Sequence, residues 1–398
     1  MLTAFSIALV LAAAYYAALI GFFAIGFRRV RREAEQAQVR EEAAPPFVSV
    51  VVAARDEEAN IEACLRSILR NDYPAEAFEV IVVDDFSEDQ TPAIVQRLQH
   101  EHRRVLAGTG DPAPIDTPPL HLVRMADYAG EATGHKRHAI HRGIETARGA
   151  LILTTDADCT TGPRWIRTMT ACFTADTGFV AGPLRYRPGS TLFGRLQALE
   201  FLALIATGAG GIGMGKPNMC NSANVAYRRD IYNRFGTLGT LGTVHPGDDE
   251  TLAQRLAAET AWKVRFCPHP DAMIETDPVL DARAFWAQRR RWAGTGPRYP
   301  RAGLVAAILG VYLFYVLLLA GLVAAVFVPA LWPAVGGVLL LKITAETTLL
   351  YPACVHFGQP RLFRYFLPEQ LLQILYVVFV GAAAAVGSTR WKGRTVFQ

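Results

Sequence analysis

The sequence lacks any pair of closely spaced cysteines. Its six cysteines are scattered along 398 residues without a CxxC or another metal-ligand spacing. This distribution argues against a zinc site and against a disulfide framework, and we interpret the cysteines as reduced thiols in a cytoplasmic domain. A strong charge of one sign is missing as well, since 40 basic and 36 acidic residues leave a net charge of +4. We expect no nucleic-acid partner.

Charged residues are too few for a wholly soluble protein and too many for a protein made only of membrane helices. They account for 19% of the chain, while hydrophobic residues account for 51% and the mean hydropathy is +0.19. A soluble domain with membrane segments at its ends satisfies both values. The composition therefore predicts this mixed organisation.

The N-terminal segment lacks the basic start that a signal peptide would have. Leu2–Phe27 is an uncharged stretch long enough to span a bilayer, and Arg28, Arg29, Arg31 and Arg32 follow it. Basic residues beside a span stay in the cytoplasm, so the N-terminus should face outward and the following domain inward. This pattern predicts a membrane anchor.

Four apolar runs in the following segment have the composition of buried strands, and helical patterns separate them. They are Phe47–Ala53, Phe78–Val83, Leu120–Val123 and the run that starts at Leu151. Strand–helix alternation with nearly continuous apolar strands indicates a parallel sheet covered on both faces. Ligands bind outside the carboxyl ends of such strands, and acids stand at three of these ends: Asp56/Glu57, Asp84/Asp85 and Asp156/Asp158.

The stretch Leu151–Cys159 ends in two carboxylates with one residue between them. If Asp156 and Asp158 are both in extended backbone, their side chains point to the same face. Two acids so placed repel each other unless a cation or hydrogen-bond donors compensate, and Mg²⁺ or Mn²⁺ shared with phosphate oxygens would do so. The alternative is a polar strand end followed by a turn.

Two later motifs have ordinary structural explanations as well as functional ones. Asp248, Asp249 and Glu250 open an amphipathic helix, where one acid would suffice to cap the amide groups. The run Gln288–Trp292 lies close to an apolar segment, where arginine and tryptophan are common as membrane-flanking residues.

Three apolar segments follow: Ala302–Val328, Leu331–Cys354 and Glu369–Gly387. Lys342 and Glu346 fall inside the second and could pair across one helical turn. Three spans would leave the tail outside, whereas the basic residues of the tail favour the cytoplasmic side. Either one of the later segments is interfacial or re-entrant, or the tail breaks the rule.

Six motifs occur in an order that resembles the inverting family 2 glycosyltransferases with a GT-A fold, and in particular the membrane-embedded branch. That branch includes cellulose, hyaluronan and poly-N-acetylglucosamine synthases and ceramide glucosyltransferases. The resemblance covers roughly residues 46–292 and the layout of membrane segments. The motifs are Ala54–Glu58, Val83–Ser87, Lys136, Thr155–Asp158, Gly247–Asp249 and the QxxRW pattern of Gln288, Arg291 and Trp292.

The resemblance implies a role for each motif. Arg55, Glu57, Asp84, Asp85, Lys136 and Asp156 would bind the nucleotide-sugar donor, although His135 replaces the glycine that usually precedes the lysine. Asp156 and Asp158 match the DxD motif that holds Mg²⁺ or Mn²⁺ with the diphosphate. Asp249 matches the catalytic base, with Asp248 beside it. Gln288, Arg291 and Trp292 would close over the pyrophosphate and shape the acceptor site.

The resemblance also implies an organisation and an activity. The fold class is α/β, a Rossmann-like GT-A mixed sheet domain over 46–300, preceded by a transmembrane helix over 1–27 and a linker over 28–45. A membrane region of about three helices over 301–389 and a basic tail over 390–398 follow. We expect a metal-dependent enzyme of the inner membrane, with its catalytic domain in the cytoplasm, that transfers a sugar from a UDP donor to a lipid or lipid-linked acceptor. The alternatives are a processive polysaccharide synthase and a non-catalytic nucleotide-sugar-binding protein. The sequence leaves the sugar and the oligomeric state open.

Overall fold

The computed structural model describes residues 2–36, 45–107, 118–128, 136–187, 189, 191–235, 248–294, 299, 301–385, 389–391 and 394–397. Within these ranges, the side chains of 34–36, 102–107, 248, 385 and the tail segments lie outside the description. The expected linker over 28–45 and the tail over 390–398 are thus only partly covered, and His135 and Gly247 lie outside the described residues.

A seven-stranded mixed sheet forms the centre of the catalytic part, in agreement with the expected fold class. Its strands are β1 (Val48–Ala54), β2 (Phe78–Asp84), β3 (Leu120–Arg124), β4 (Leu151–Asp156), β6 (Thr177–Ala181), β8 (Val225–Arg228) and β9 (Lys263–Phe266), in the order β3-β2-β1-β4-β8-β6-β9. The first four strands are parallel, and β8 is antiparallel to both of its neighbours. The parallel half is the part that the apolar runs predicted.

A second, three-stranded sheet lies beside the end of β4. It consists of β5 (Thr160–Thr161), β7 (Leu184–Tyr186) and β10 (Ile274–Thr276), with β10 in the middle. A short hairpin near the C-terminus consists of β11 (Thr389–Trp391) and β12 (Arg394–Phe397). The small sheet matters because β5 and β10 follow or contact the segment that carries Asp158.

Six helices connect the strands of the catalytic part: α2 (Ile61–Leu69), α3 (Thr91–Ala107), α4 (Lys136–Thr146), α5 (Trp165–Ala171), α7 (Arg229–Phe235) and α8 (Asp248–Glu259). Helix α4 packs closely on β1 and β2. A Cβ on Gly143 would lie 2.5 Å from a methyl group of Val51 and 3.0 Å from one of Val83, so glycine is needed at this crossing. The close approach brings Lys136, at the start of α4, to the sheet edge.

Five of the remaining helices are long and apolar enough to cross a membrane: α1 (Leu2–Gln36), α6 (Leu192–Gly213), α10 (Ala302–Phe327), α11 (Trp332–His356) and α12 (Phe366–Ala385). The sixth, α9 (Ala282–Ala293), carries the QxxRW pattern. In its most apolar window α6 is 67% buried and α10 only 17%. Helix α6 is therefore mostly covered by protein, whereas α10 presents an apolar surface suited to lipid.

Helix α12 has contacts with helices of the catalytic part near both of its ends. Just before its start, the Tyr365 hydroxyl accepts a hydrogen bond from Arg195 of α6 at 2.7 Å. Near its end, the Ala383 carbonyl accepts one from Arg290 of α9 at 2.9 Å. Both ends of α12 therefore lie against helices that precede it in the chain, α6 and α9.

Candidate active site

The loops after β1 and β2 are tied to each other by reciprocal hydrogen bonds. The Asp56 amide donates to the Ser87 hydroxyl at 3.0 Å, and the Glu88 amide donates to the Asp56 carboxylate at 2.8 Å. Asp56 and Phe86 have φ values of 50° and 57°, a left-handed conformation that is unfavourable for side chains other than glycine. The two loops hold strained positions together at the edge where ligands bind in such sheets.

The predicted donor-binding residues Arg55, Glu57, Asp84 and Asp85 lie at the ends of β1 and β2 or in the loops after them. Asp84 and Asp85 are both 2% exposed. The Ser87 amide donates to the Asp84 carboxylate at 3.3 Å, and Arg55 donates to the Asp85 carbonyl at 3.4 Å. Burial raises the pKa of Asp84, an effect that the hydrogen bonds from Ser87 only partly oppose. Glu57 starts the next turn, where its amide donates to Thr91 at 2.8 Å.

The expectation of an extended Asp-x-Asp segment is wrong in its geometry. Strand β4 ends at Asp156, and Ala157 and Asp158 form a turn closed by the Cys159 amide, which donates to the Asp156 carbonyl at 3.1 Å. The alternation of side chains along a strand therefore does not apply to Asp158. The turn nevertheless keeps the two acids close. The charge of Asp156 raises the pKa of Asp158, which requires that the two carboxylates lie near each other.

Asp158 is crowded by like charges. Loss of solvent within the cleft raises the pKa of Asp158 to about 6, and the carboxylates of Asp156 and Glu57 add to this effect. The residue as a whole keeps an exposed face, so the carboxylate remains open to a ligand from the cleft. The Cys159 thiol donates to it at 3.3 Å.

Lys136 lies between the strand that carries the DxD motif and the loop before β8. Its ammonium group forms an ion pair with Asp156 and donates to the Ser222 hydroxyl at 3.4 Å. Burial would lower the pKa of Lys136, but Asp156, Asp249 and Asp158 together outweigh burial and raise it. The fold thus brings Lys136, the DxD motif and Asp249 into one electrostatic neighbourhood.

Asp249 lies in the first turn of α8 and is 7% exposed. Helix α8 begins at Asp248, whose side chain lies outside the described part. The neighbouring Glu250 accepts a hydrogen bond from the Tyr299 hydroxyl at 2.6 Å, while burial raises the pKa of Glu250 to about 7. Asp249 and Glu250 therefore lie next to each other in the chain but in different environments.

Helix α9 brings the QxxRW residues toward the DxD motif. Burial lowers the pKa of Arg291, and the negative charge of Asp156 acts against that effect. The Trp292 ring lies 6.1 Å from the ring of Phe201 on α6. The predicted membrane-flanking explanation accounts for the neighbourhood of the apolar helices but not for the approach of Arg291 to an acid of the sheet.

The sequence analysis missed two residues of this region. Arg289, inside the QxxRW pattern, is fully buried and pairs with Glu200 of α6 at 2.7 Å. The signal was the charged residue in the otherwise apolar segment that became α6, but its partner lies 89 positions away. A long-range pair of this kind has no local sequence pattern.

The DxD carboxylates suit a divalent cation that is completed by ligands from elsewhere. Among the described residues, no group of three or more His, Cys, Asp or Glu side chains could enclose a metal ion. Mg²⁺ and Mn²⁺ are commonly held by one or two carboxylates together with phosphate oxygens and water. The like-charge crowding at Asp158 fits a cation at this position.

Comparison with known proteins defines the class of this site. The chain has the fold of a mannosyltransferase from Pyrobaculum calidifontis, solved with GDP-mannose and Mn²⁺, with a TM-score of 0.57, 22% identity and coverage of 97% and 98% of the two chains. The fold is that of GT-A glycosyltransferases. Residues 118–397, more than half of the chain, match the model described as glycosyl transferase family 21, and residues 49–110 match glycosyl transferase family 2. The chain belongs to glycosyl transferase family 21.

Curated relatives include enzymes that are named for glycolipid synthesis. The chain is 28% identical over 265 residues to a beta-monoglucosyldiacylglycerol synthase of Synechocystis sp.. The matched region covers 63% of this chain and 48% of the relative. It is 26% identical over 290 residues to the protein of the same name from Trichormus variabilis, with coverage of 70% and 54%. The chain spans about half the length of these relatives.

Proposed function

We propose that this protein transfers a sugar from a nucleotide-sugar donor to a membrane lipid or a lipid-linked acceptor, with inversion at the anomeric carbon. One observation carries the proposal. Lys136, Asp156, Asp158 and Asp249 share one electrostatic neighbourhood at the carboxyl edge of the sheet, and α9 brings Arg291 to the same place. Glycolipid synthesis by the curated relatives supports the choice of acceptor.

The donor binds along the loops after β1 and β2. Arg55, Glu57, Asp84 and Asp85 form the nucleotide end, with an acid of the second loop accepting a hydrogen bond from the base. Lys136 and Asp156 lie toward the diphosphate. We assign UDP as the nucleotide, on the basis of the resemblance to the membrane-embedded branch.

Asp249 is the base of the reaction and takes the proton of the acceptor hydroxyl as that oxygen attacks the anomeric carbon. Asp248 belongs to the same motif. Arg291 and Lys136 neutralise charge that develops on the departing diphosphate, and Gln288 and Trp292 shape the acceptor side. Asp156 and Asp158 would hold Mg²⁺ or Mn²⁺, which when bound supplies Lewis-acid stabilisation of the diphosphate.

The acceptor reaches the cleft from the membrane side. The QxxRW helix α9 forms hydrogen bonds with the apolar helices α6 and α12. We propose that α1, α10 and α11 cross the inner membrane, with the catalytic domain in the cytoplasm as the arginines after residue 27 indicate. On this topology α12 lies along the cytoplasmic side, and the basic tail stays inside.

The test is nucleotide release from a panel of nucleotide sugars by the purified full-length protein, with Mg²⁺ or Mn²⁺ and native lipid extract. Asp249→Asn is measured beside the matched control Asp230→Asn, an exposed acid on α7. Lipid-dependent release that Asp249→Asn abolishes and Asp230→Asn retains supports the proposal. Release without lipid that yields polymer favours the processive synthase. Nucleotide binding without release from any donor contradicts an enzymatic role.

A further inference from the structure

A buried ion pair joins three helices at the membrane side of the cleft. Arg289 of α9 donates to Glu200 of α6 at 2.7 Å, and their side chains are 0% and 15% exposed. Tyr376 of α12 lies beside this pair, with its ring 6.0 Å from that of Phe285 on α9. Buried charges are costly unless they are paired, so loss of one partner would disturb the whole junction.

The Arg289 side chain contacts two members of the QxxRW pattern as well. Its guanidinium lies 4.3 Å from the ring centre of Trp292, and it donates to the Gln288 side chain at 3.0 Å. It also lies 4.8 Å from the ring centre of Phe285. A planar guanidinium can stack on a ring and keep its hydrogen bonds, which a lysine ammonium cannot do in the same geometry.

A column of rings continues from this junction toward the DxD motif. The Trp292 ring lies 6.1 Å from that of Phe201, which stacks on Tyr186 at 4.4 Å. Tyr186 ends β7, and the adjacent strand β10 carries Thr276, whose hydroxyl donates to the Asp158 carbonyl at 3.3 Å. The orientation of Trp292 is thus connected by packing to the turn that presents Asp158.

We propose that the Glu200–Arg289 pair positions the QxxRW helix for transfer, by fixing the orientation of Trp292 and Gln288 against α6 and α12. The inference rests on the proposed function for the reaction itself. Arg289 is a positioning residue, because its side chain is fully buried and engaged by Glu200 and Gln288. The nucleotide end of the cleft lies on the loops after β1 and β2, so the pair should affect turnover much more than nucleotide binding.

The experiment uses the full-length protein in nanodiscs with Glu200→Gln, Arg289→Met and the double variant Glu200→Gln/Arg289→Met. Arg283→Lys, an exposed position on the same helix, is the matched control. We expect kcat to fall about 10–100-fold in each single variant, since small misplacements of this kind cost up to about 100-fold. The affinity for UDP should stay within about twofold, and the double variant should lose no more than the weaker single variant, as expected for one coupled unit.

Unchanged kcat in folded single variants would overturn the inference, and so would a loss of UDP affinity equal to the loss of kcat. A double variant whose loss is the product of the two single losses would do the same.

If the parent protein turns over no donor, the proposed function fails, and amide exchange of α9 with and without UDP and Mn²⁺ decides the inference. Ligand-induced protection that disappears in Glu200→Gln but persists in Arg283→Lys supports it, whereas protection that persists in both contradicts it.

Discussion

The molecule contains two groups of charged side chains whose surroundings differ. Among the membrane helices, Glu346 accepts hydrogen bonds from Tyr16 at 2.5 Å and Gln370 at 2.7 Å and pairs with Lys342 at 2.8 Å, as the spacing of Lys342 and Glu346 predicted. At the sheet edge, Asp158 has like charges beside it and a thiol as its hydrogen-bond donor. A carboxylate surrounded by donors stabilises a fold, whereas a crowd of carboxylates is suited to a cation or to chemistry.

The largest effect is expected when the charge of Asp158 is removed. We expect Asp158→Asn to lower turnover about 10²–10³-fold, because electrostatic stabilisation of the leaving group is lost. The same change should leave the thermal stability equal or higher, since repulsion from Asp156 and Glu57 is relieved. Parallel measurement of kcat and of the thermal midpoint checks this. A large loss of stability with normal turnover would assign Asp158 a structural role.

For the pair of Lys342 and Glu346 we expect the opposite result, a loss of stability with little change in turnover. Glu346→Ala leaves Lys342 buried without its carboxylate partner and should lower the free energy of unfolding by about 3 kcal/mol. The double variant Lys342→Met/Glu346→Leu should recover most of that loss. Unfolding in mixed micelles measures the stability, and kcat per folded molecule should change less than about twofold. Loss of kcat in the stable double variant would show that this group takes part in the reaction.

A smaller effect concerns Glu250, which resembles both groups. It accepts a hydrogen bond from Tyr299, as Glu346 accepts bonds from its donors, and burial disfavours its charged form, as it does for Asp158. The pKa of Glu250 is raised from 4.5 to about 7, so between these values the folded protein binds more protons than the unfolded chain. The free energy of unfolding therefore falls by about 3 kcal/mol in total as the pH rises through this window. Glu250→Gln should remove that fall. Thermal midpoints from pH 4 to pH 8 measure it, and an identical slope in the variant would refute the assignment.

The parts of the fold that depend on local pattern could be predicted from the sequence. The apolar β-branched runs became β1, β2, β3 and β4, and the acids that follow them meet at one edge because parallel strands share their carboxyl ends. The sequence left two alternatives open for Asp158, an extended segment and a turn, and could not decide between them, since both have the same local composition.

Long-range features were beyond the sequence for a different reason. Arg289 pairs with a residue 89 positions away, and α12 contacts α9 through the hydrogen bond from Arg290 to Ala383, 93 positions away, among other contacts. Hydropathy measures the length and apolarity of a segment, and it contains no information on which face of the bundle each end reaches. The conflict over the side of the tail followed from that limit.

The most direct test of the account is transfer of a radiolabelled sugar from its nucleotide to lipid in nanodiscs, measured for the parent protein, Asp249→Asn and Glu346→Gln. We expect labelled glycolipid from the parent protein and, per folded molecule, from Glu346→Gln. We expect about 10²–10⁴-fold less from Asp249→Asn, the range associated with loss of a general base. Undiminished transfer by folded Asp249→Asn would contradict the central claim that the acids at the sheet edge carry out the reaction.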